Sequence, residues 1–367
     1  MLAKILTAVA VAATATLAVT STASGGTPSW QVARQVPGGT FAEFTAMTAA
    51  GSGTAWAFDG QQGATAWELT GSTWTKVPFP SKSDEEVLAA GASSASNAWA
   101  FTATLFGGQS RALHWTGSAW KVQGTLPQTA GGIAVISPDN VWAFGAPYLP
   151  VTQLGAWHYN GRGWTRVPSG HGLGGGSAVS ADDVWAYDGT DVANWNGSTW
   201  VRTNLAALLP ARNAENDPAV TAVYAGSADN VYAIGAGNYS DGGGPTVVLH
   251  YNGHTWTRVA EGSYGTTGQV PQTVTADGHG GLWIPVPGYD GDLSHLLHYS
   301  VSKQGAVSKQ GANGQLTSVT LPVPASRIDL LCVAQLPGST QVLAGGYTHP
   351  AGNPGLDPVA VLLRYGS

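Results

Sequence analysis

Short apolar runs rich in Trp, Val, Tyr and Phe alternate along the chain with clusters of Gly, Asn, Asp and Ser, the pattern of strands and turns. One run keeps returning: GSGTAWAFD at 51–59, SASNAWAFT at 94–102, SPDNVWAFG at 137–145, SADDVWAYD at 180–188 and SADNVYAIG at 227–235. Its central aromatic is Trp56, Trp99, Trp142, Trp185 and Tyr232, at intervals of 43, 43, 43 and 47 residues. A sixth copy centres on Trp283, and a diverged seventh at 341–346 has Leu343 in the aromatic position. A second motif follows each of the first five copies: ELTGSTW at 68–74, HWTGSAW at 114–120, HYNGRGW at 158–164, NWNGSTW at 194–200 and HYNGHTW at 250–256.

Each unit thus predicts four strands. Ser-Ala-Asp-Asp before Val-Trp, or Ser-Ala-Asp-Asn before Val-Tyr, is a tight turn between the first and second. Asn-Gly or Thr-Gly is a hairpin turn between the third and fourth, where Gly supplies a positive φ. Four strands in ~40–50 residues make the blade of a β-propeller. The seventh copy, from about Asp329 to Tyr365, lacks a fourth strand, while Ser29–Pro37 resembles the fourth-strand sequence Thr73–Pro78 and stands before the first copy. The expected fold is all-β: a seven-bladed β-propeller over 24–367, with four antiparallel strands per blade. The N-terminal strand closes the last blade, since an open array would leave an edge prone to aggregation.

The pattern resembles secreted actinobacterial Trp-rich propellers and, more loosely, kelch and galactose-oxidase-like propellers. The kelch Gly-Gly doublet stands only at Gly345-Gly346, the Trp-Asp dipeptide of WD repeats is absent, and no copy matches a sialidase Asp-box. The resemblance implies the fold and no particular activity.

Composition narrows the setting. Only 15 Lys or Arg and 21 Asp or Glu occur in 367 residues, with a formal net charge of −6, which argues against nucleic acid as partner and against a coiled coil or disordered tail. Lys4 followed by the apolar run Ile5–Val19 and Ser21-Thr22-Ala23 reads as a secretory signal, 1–23, removed on export. The run is short for a membrane anchor and no later stretch predicts a span, so the mature chain is expected to be secreted, extracellular and monomeric. The lone Cys332 sits in the apolar run 330–334 and reads as a buried, inert thiol.

Residues that recur around a ring do the same structural job in every blade. His114, His158, His250 and His298 share one repeat position and read as hydrogen-bonding scaffold. Asp139, Asp182 and Asp229 read as turn residues bonding their own backbone, and the Trp residues as packing between blades. Lys76, Arg166, Arg202 and Arg258, two places after the fourth-strand Trp, read as charges protecting an outer edge.

Function is expected where the copies differ. The links between second and third strands, and those from one blade to the next, lie on one propeller face and are long and divergent; the other two turns are mostly short and repetitive. The divergent face carries Asp188 and Asp191, Tyr239 with Asp241, Tyr289, Asp290 and Asp292 followed by His295, and Tyr347 with His349. The link into blade five adds Arg212, Asn213, Glu215, Asn216 and Asp217. Aromatic rings among carboxylates suit a glycan; carboxylates in Gly-rich loops also suit a weak Ca²⁺ site. The ligand-binding set is expected to be Tyr239, Asp241, Tyr289, Asp290, Asp292, His295, Tyr347 and His349. With no nucleophile motif, phosphate loop or zinc spacing, no cofactor, resident metal or catalytic residue is expected. The leading expectation is a non-catalytic binder of a glycan, cell-envelope polymer or extracellular protein. The alternative is a hydrolase using paired carboxylates such as Asp241 with Asp290 or Asp292, or a lyase using His295 with Tyr289.

Overall fold

In the computed structural model, the described residues are 27–37, 42–60, 63–104, 108–145, 155–213, 216–237, 244–262, 270–288, 294–301, 314–322, 327–349 and 358–366. Their strands sort into seven four-stranded antiparallel sets, two of which share one sheet through a single parallel pair, Gly145 with Gly174. The sets span 44–77, 85–126, 130–167, 174–204, 219–262, 275–319 and 327–366, the last completed by Ser29–Pro37. Their first strands neighbour one another in a closed circle, so they form the inner wall of a propeller, and the fourth strands form its rim.

Closure has the expected form. The strand Ser29–Pro37 pairs antiparallel with Val359–Gly366, setting Trp30 opposite Tyr365 and Arg34 opposite Leu362. It also grips both adjoining blades. The Trp30 ring meets Trp283 of blade six edge-on, at 5.1 Å and 86°. The Arg34 guanidinium lies 3.9 Å over Trp67 of blade one and donates to the Trp74 carbonyl.

The core lies between blades, and one rule builds it. The second-strand aromatic of each blade meets the fourth-strand Trp of the next, edge to face. Trp56 meets Trp120 at 86°, Trp99 meets Trp164 at 88°, Trp142 meets Trp200 at 85°, and Trp185 meets Trp256 at 76°. Such pairs contribute ~0.5–1.5 kcal/mol each beyond the area they bury. The pattern bends at two interfaces. Tyr232 of blade five meets Tyr299, with Leu316 packed beside them where a fourth-strand Trp would stand, and Leu343 of blade seven packs in one cluster with Trp74.

The repeated histidines are scaffold. His114, His158 and His250 place Nε2 2.7–2.9 Å from Oδ1 of Asn97, Asn140 and Asn230, and each ring faces the second-strand aromatic at 4.3–4.7 Å. Blade six keeps the stack, His298 on Trp283 at 4.2 Å, but the partner is the carboxylate of Asp277 at 2.9 Å. The turn aspartates bond as expected and make one further contact: Asp182 and Asp229 accept from their own backbone N–H groups, and Asp139, Asp182 and Asp229 also accept from the hydroxyls of Ser137, Ser180 and Ser227 at 2.5–2.6 Å. The hairpin glycine packs directly on them. A Cβ on Gly161, at φ +84°, would come 2.8 Å from Asp139 Cβ, so glycine is required there for space as well as for backbone angle.

A feature with no sequence signature is a β-bulge near the start of the inner strand in six blades, as at Phe44/Ala46, Val87/Ala89 and Leu330/Cys332. Bulges bend a strand and re-aim its side chains, and here they occur where the inner strands line the propeller axis. Thr45, inside the first bulge, donates its hydroxyl to the Val87 carbonyl in the second.

Candidate functional site

The divergent face is held by buried polar side chains that differ from blade to blade. In blade one, Asp59 accepts from the Trp67 indole at 2.7 Å and from the Thr65 hydroxyl. In blade two, buried Glu85 takes the Arg111 guanidinium at 2.6 Å, the Thr102 hydroxyl at 3.1 Å and the Lys82 N–H at 3.0 Å. All three fall on Oε2, and a buried charge of this kind persists only when it is paired and hydrogen-bonded. In blade three, Gln128 donates to the Gly155 carbonyl.

Asp329 of blade seven is the most informative of these. Its Oδ1 accepts from the Gly288 N–H at 3.1 Å and the Ser294 hydroxyl at 2.7 Å, both in blade six. One buried carboxylate therefore pins both ends of the link that carries Tyr289, Asp290 and Asp292. Sequence reasoning passed over it, although a lone Asp in Ile328-Asp329-Leu330-Leu331 was a visible signal.

Of the expected ligand-binding residues, Tyr239, Asp241, Tyr289, Asp290 and Asp292 lie outside the described residues, as does Glu215. His295 opens the third strand of blade six with Nδ1 3.1 Å from Ser318 Oγ, and burial lowers its pKa below the usual imidazole value. Tyr347 is half-buried in the second strand of blade seven, opposite Asp329 in register, and His349 ends that strand. Asp188 and Asp191 are brought together, but on Arg202, whose Nη1 lies 3.1 Å from the first and 3.9 Å from the second. They hold the scaffold.

Arg202 also corrects the reading of the fourth-strand cations as edge protection. It donates to the carbonyls of Ser169 and Gly172, in the link entering its own blade. Arg258 does the same one blade on: Nε and Nη2 reach the Leu208 and Leu209 carbonyls at 2.8 and 2.7 Å, and Nη1 reaches Glu261 at 2.8 Å. These arginines cap the carbonyls of incoming links.

Two hollows remain. The first, about 190 Å³, lies on the axis and is lined by the inner strands of six blades and by Gln272–Val274, just before that of blade six, with Gly132, Gly175 and Gly176 on the side of blades three and four. A Cβ on Gly132 would come 2.6 Å from Gly175, so these strands meet more closely than side chains permit. The second, about 760 Å³, opens on the divergent face between blades four and five. It is bounded by Thr190, by Ala206, Leu209, Arg212, Asn213, Asp217 and Pro218 of the link into blade five, by Pro245, and by Arg258 with Glu261. Asn216 shapes that link: its Nδ2 donates to the Ala211 carbonyl at 2.8 Å and its N–H to Asn213 Oδ1 at 2.9 Å. Arg212 and Asp217, both named from sequence, pair across the groove rim at 3.1 Å. Among the described residues, no three His, Cys, Asp or Glu side chains gather as metal ligands, and no helix is long and apolar enough to cross a membrane.

Closed circular topology and a rigid scaffold under varied links define the class: a β-propeller. No protein-family model and no curated protein sequence matches the chain. Solved structures do. YCF48 bound to D1 peptide matches at 14% identity and TM-score 0.52, over 92% of this chain and 97% of that one. The WD40 repeats of RRP9 match at 10% identity and TM-score 0.58, over 91% and 99%. The GH74 xyloglucanase from Xanthomonas campestris matches at 12% identity and TM-score 0.57, over 90% of this chain and 55% of that one. At these identities the likeness is one of fold.

Proposed function

We propose that the chain is exported, loses residues 1–23, and serves as a non-catalytic binding propeller. Its partner, a glycan, cell-envelope polymer or extracellular protein, is taken on the divergent face. The observation that carries this reading is the contrast between faces. One repeats the same Ser–Asp pair and hairpin turn in blades three, four and five, while the other varies its links and pins them with buried groups such as Glu85 and Asp329. Varied segments on a rigid support are where binding residues collect. Among propellers of this shape, one was solved with a peptide and another is a xyloglucanase, so both ligand classes belong in the test.

The test is retention and turnover on oligosaccharide and peptide arrays with purified protein. Retention without new products supports the binder. Released products would instead establish a hydrolase or lyase, and retention of neither class would end the proposal.

A further inference from the structure

We infer that the axial hollow takes the end of a neutral glycan chain, one sugar ring deep, and that the Tyr187 hydroxyl is its recognising group. The inference rests on the binding reading above and names its site and ligand class. The hollow lies toward the divergent face, where the inner strands begin. Six inner strands and the segment entering blade six wall it on every side with described residues. Its volume of about 190 Å³ compares with the ~150 Å³ cavity that admits one benzene ring, so it has room for a single six-membered ring. Because the circle of blades is closed, a polymer cannot cross the hollow sideways; only a chain end can enter.

Tyr187 sets this hollow apart from the repeat. Phe58, Phe101 and Phe144 hold the same position in the first three blades; all are wholly buried and none lines the hollow. Blade four has a phenol there, opposite Gly174 in register. A Cβ on Gly175, at φ +60°, would overlap Tyr187 Cε1 and come 2.8 Å from Cζ, so the hydroxyl-bearing end of the ring fills the place of a missing side chain on the axis. Tyr187 is 4% exposed, and its hydroxyl bonds to nothing among the described residues. Burial pushes its pKa above the usual phenol value, so the hydroxyl keeps its proton and can donate. Thr273, which also lines the hollow, has a buried hydroxyl without a partner, and exposed Gln272 stands beside it. Buried hydroxyls ordinarily find partners, and those of a sugar would supply them. Met47, Ile133, Val223 and Val333 offer apolar wall to the C–H faces of the ring. A peptide end brings an ammonium or a carboxylate, and the described lining holds no charged side chain to pair with it. A neutral sugar end brings hydroxyls alone.

The probes are linear oligosaccharides ending in glucose, galactose, mannose or N-acetylglucosamine, the same chains ending in glucuronic acid, cyclic glucans, which have no end, and a peptide array. Wild-type protein is expected to retain at least one neutral-ended set tenfold or more better than its acid-ended form and than the cyclic glucans. Tyr187→Phe removes the hydroxyl alone and restores the residue of the first three blades. It should lower that retention at least tenfold and melt as wild type does. Cyclic or acid-ended chains held as well as neutral ends, retention unmoved by Tyr187→Phe, or retention of peptides alone would overturn the inference while leaving the binding proposal standing. Retention of no probe would remove both.

Discussion

The two faces of the propeller are built by opposite methods. On one, blades three, four and five use the same parts in the same places: a Ser hydroxyl on an Asp, and an Asn side chain accepting two backbone N–H groups in the hairpin, as Asn160, Asn196 and Asn252 each do. On the other, each link has its own fastening: Asp59, Glu85, Gln128, Arg202, Arg258, Asp329. The first set makes blades interchangeable. The second frees each link to differ in length and chemistry without loosening the ring, because its anchor is a buried or half-buried group held by hydrogen bonds.

Changes to the shared framework should cost most. Deleting residues 27–37 removes the closing strand with Trp30 and Arg34, and is expected to abolish the cooperative thermal transition; a mutant that melts near wild type would refute closure as the source of stability. Trp142→Ala, at a fully repeated interblade contact, should cost ~3–5 kcal/mol in denaturant unfolding. Asp329→Ala should cost less, ~1–3 kcal/mol, from leaving the Ser294 hydroxyl without its acceptor and the Gly288 N–H with Ser294 Oγ alone. Its signature should be local: faster hydrogen exchange around 288 and 294 with protection elsewhere kept. Uniform loss of protection would show that Asp329 serves the ring as a whole.

A smaller effect should appear in the pH dependence. Burial lowers the pKa of His114, His158 and His250 below the imidazole value of 6.5. The unfolded chain then binds more protons than the folded one below that value, so stability is fully present above it and declines as pH falls through it. Melting temperature should drop between pH 7.5 and 5.5, and His158→Ala should flatten part of that slope; an unchanged slope would deny the histidine its share. Burial pushes Asp277 up, but hydrogen bonds from His298 and the N–H groups of His279 and Gly281 outweigh it and hold the carboxyl below its usual range. Its contribution is present at neutral pH and fades only as pH falls below that of an ordinary carboxylate.

What sequence could reveal follows the same division. Whatever recurs from blade to blade was legible: the blades, the Trp contacts, the histidines, and the closing strand through its likeness to Thr73–Pro78. The inner-strand bulges recur too but carry no single residue signature, since the residue set apart is Thr45 or Thr221 in two blades, Leu88 or Leu331 in two others and Gly131 in a fifth. The fastenings of the divergent face were hidden because each joins segments far apart in sequence and occurs once, as Asp329 joins Gly288 and Ser294. Arg202 and Arg258 misled for the reverse reason: they repeat along the rim, but their partners are link carbonyls that no residue type announces.

The central claim is that binding belongs to the varied face alone, and two variant proteins test it most directly on the same peptide and oligosaccharide arrays. One carries Tyr187→Phe, at the axial hollow on the varied face; the other carries Asp139→Lys, Asp182→Lys and Asp229→Lys on the repeated face. The account predicts weakened retention in the first and wild-type retention in the second. Loss only in the second would contradict it.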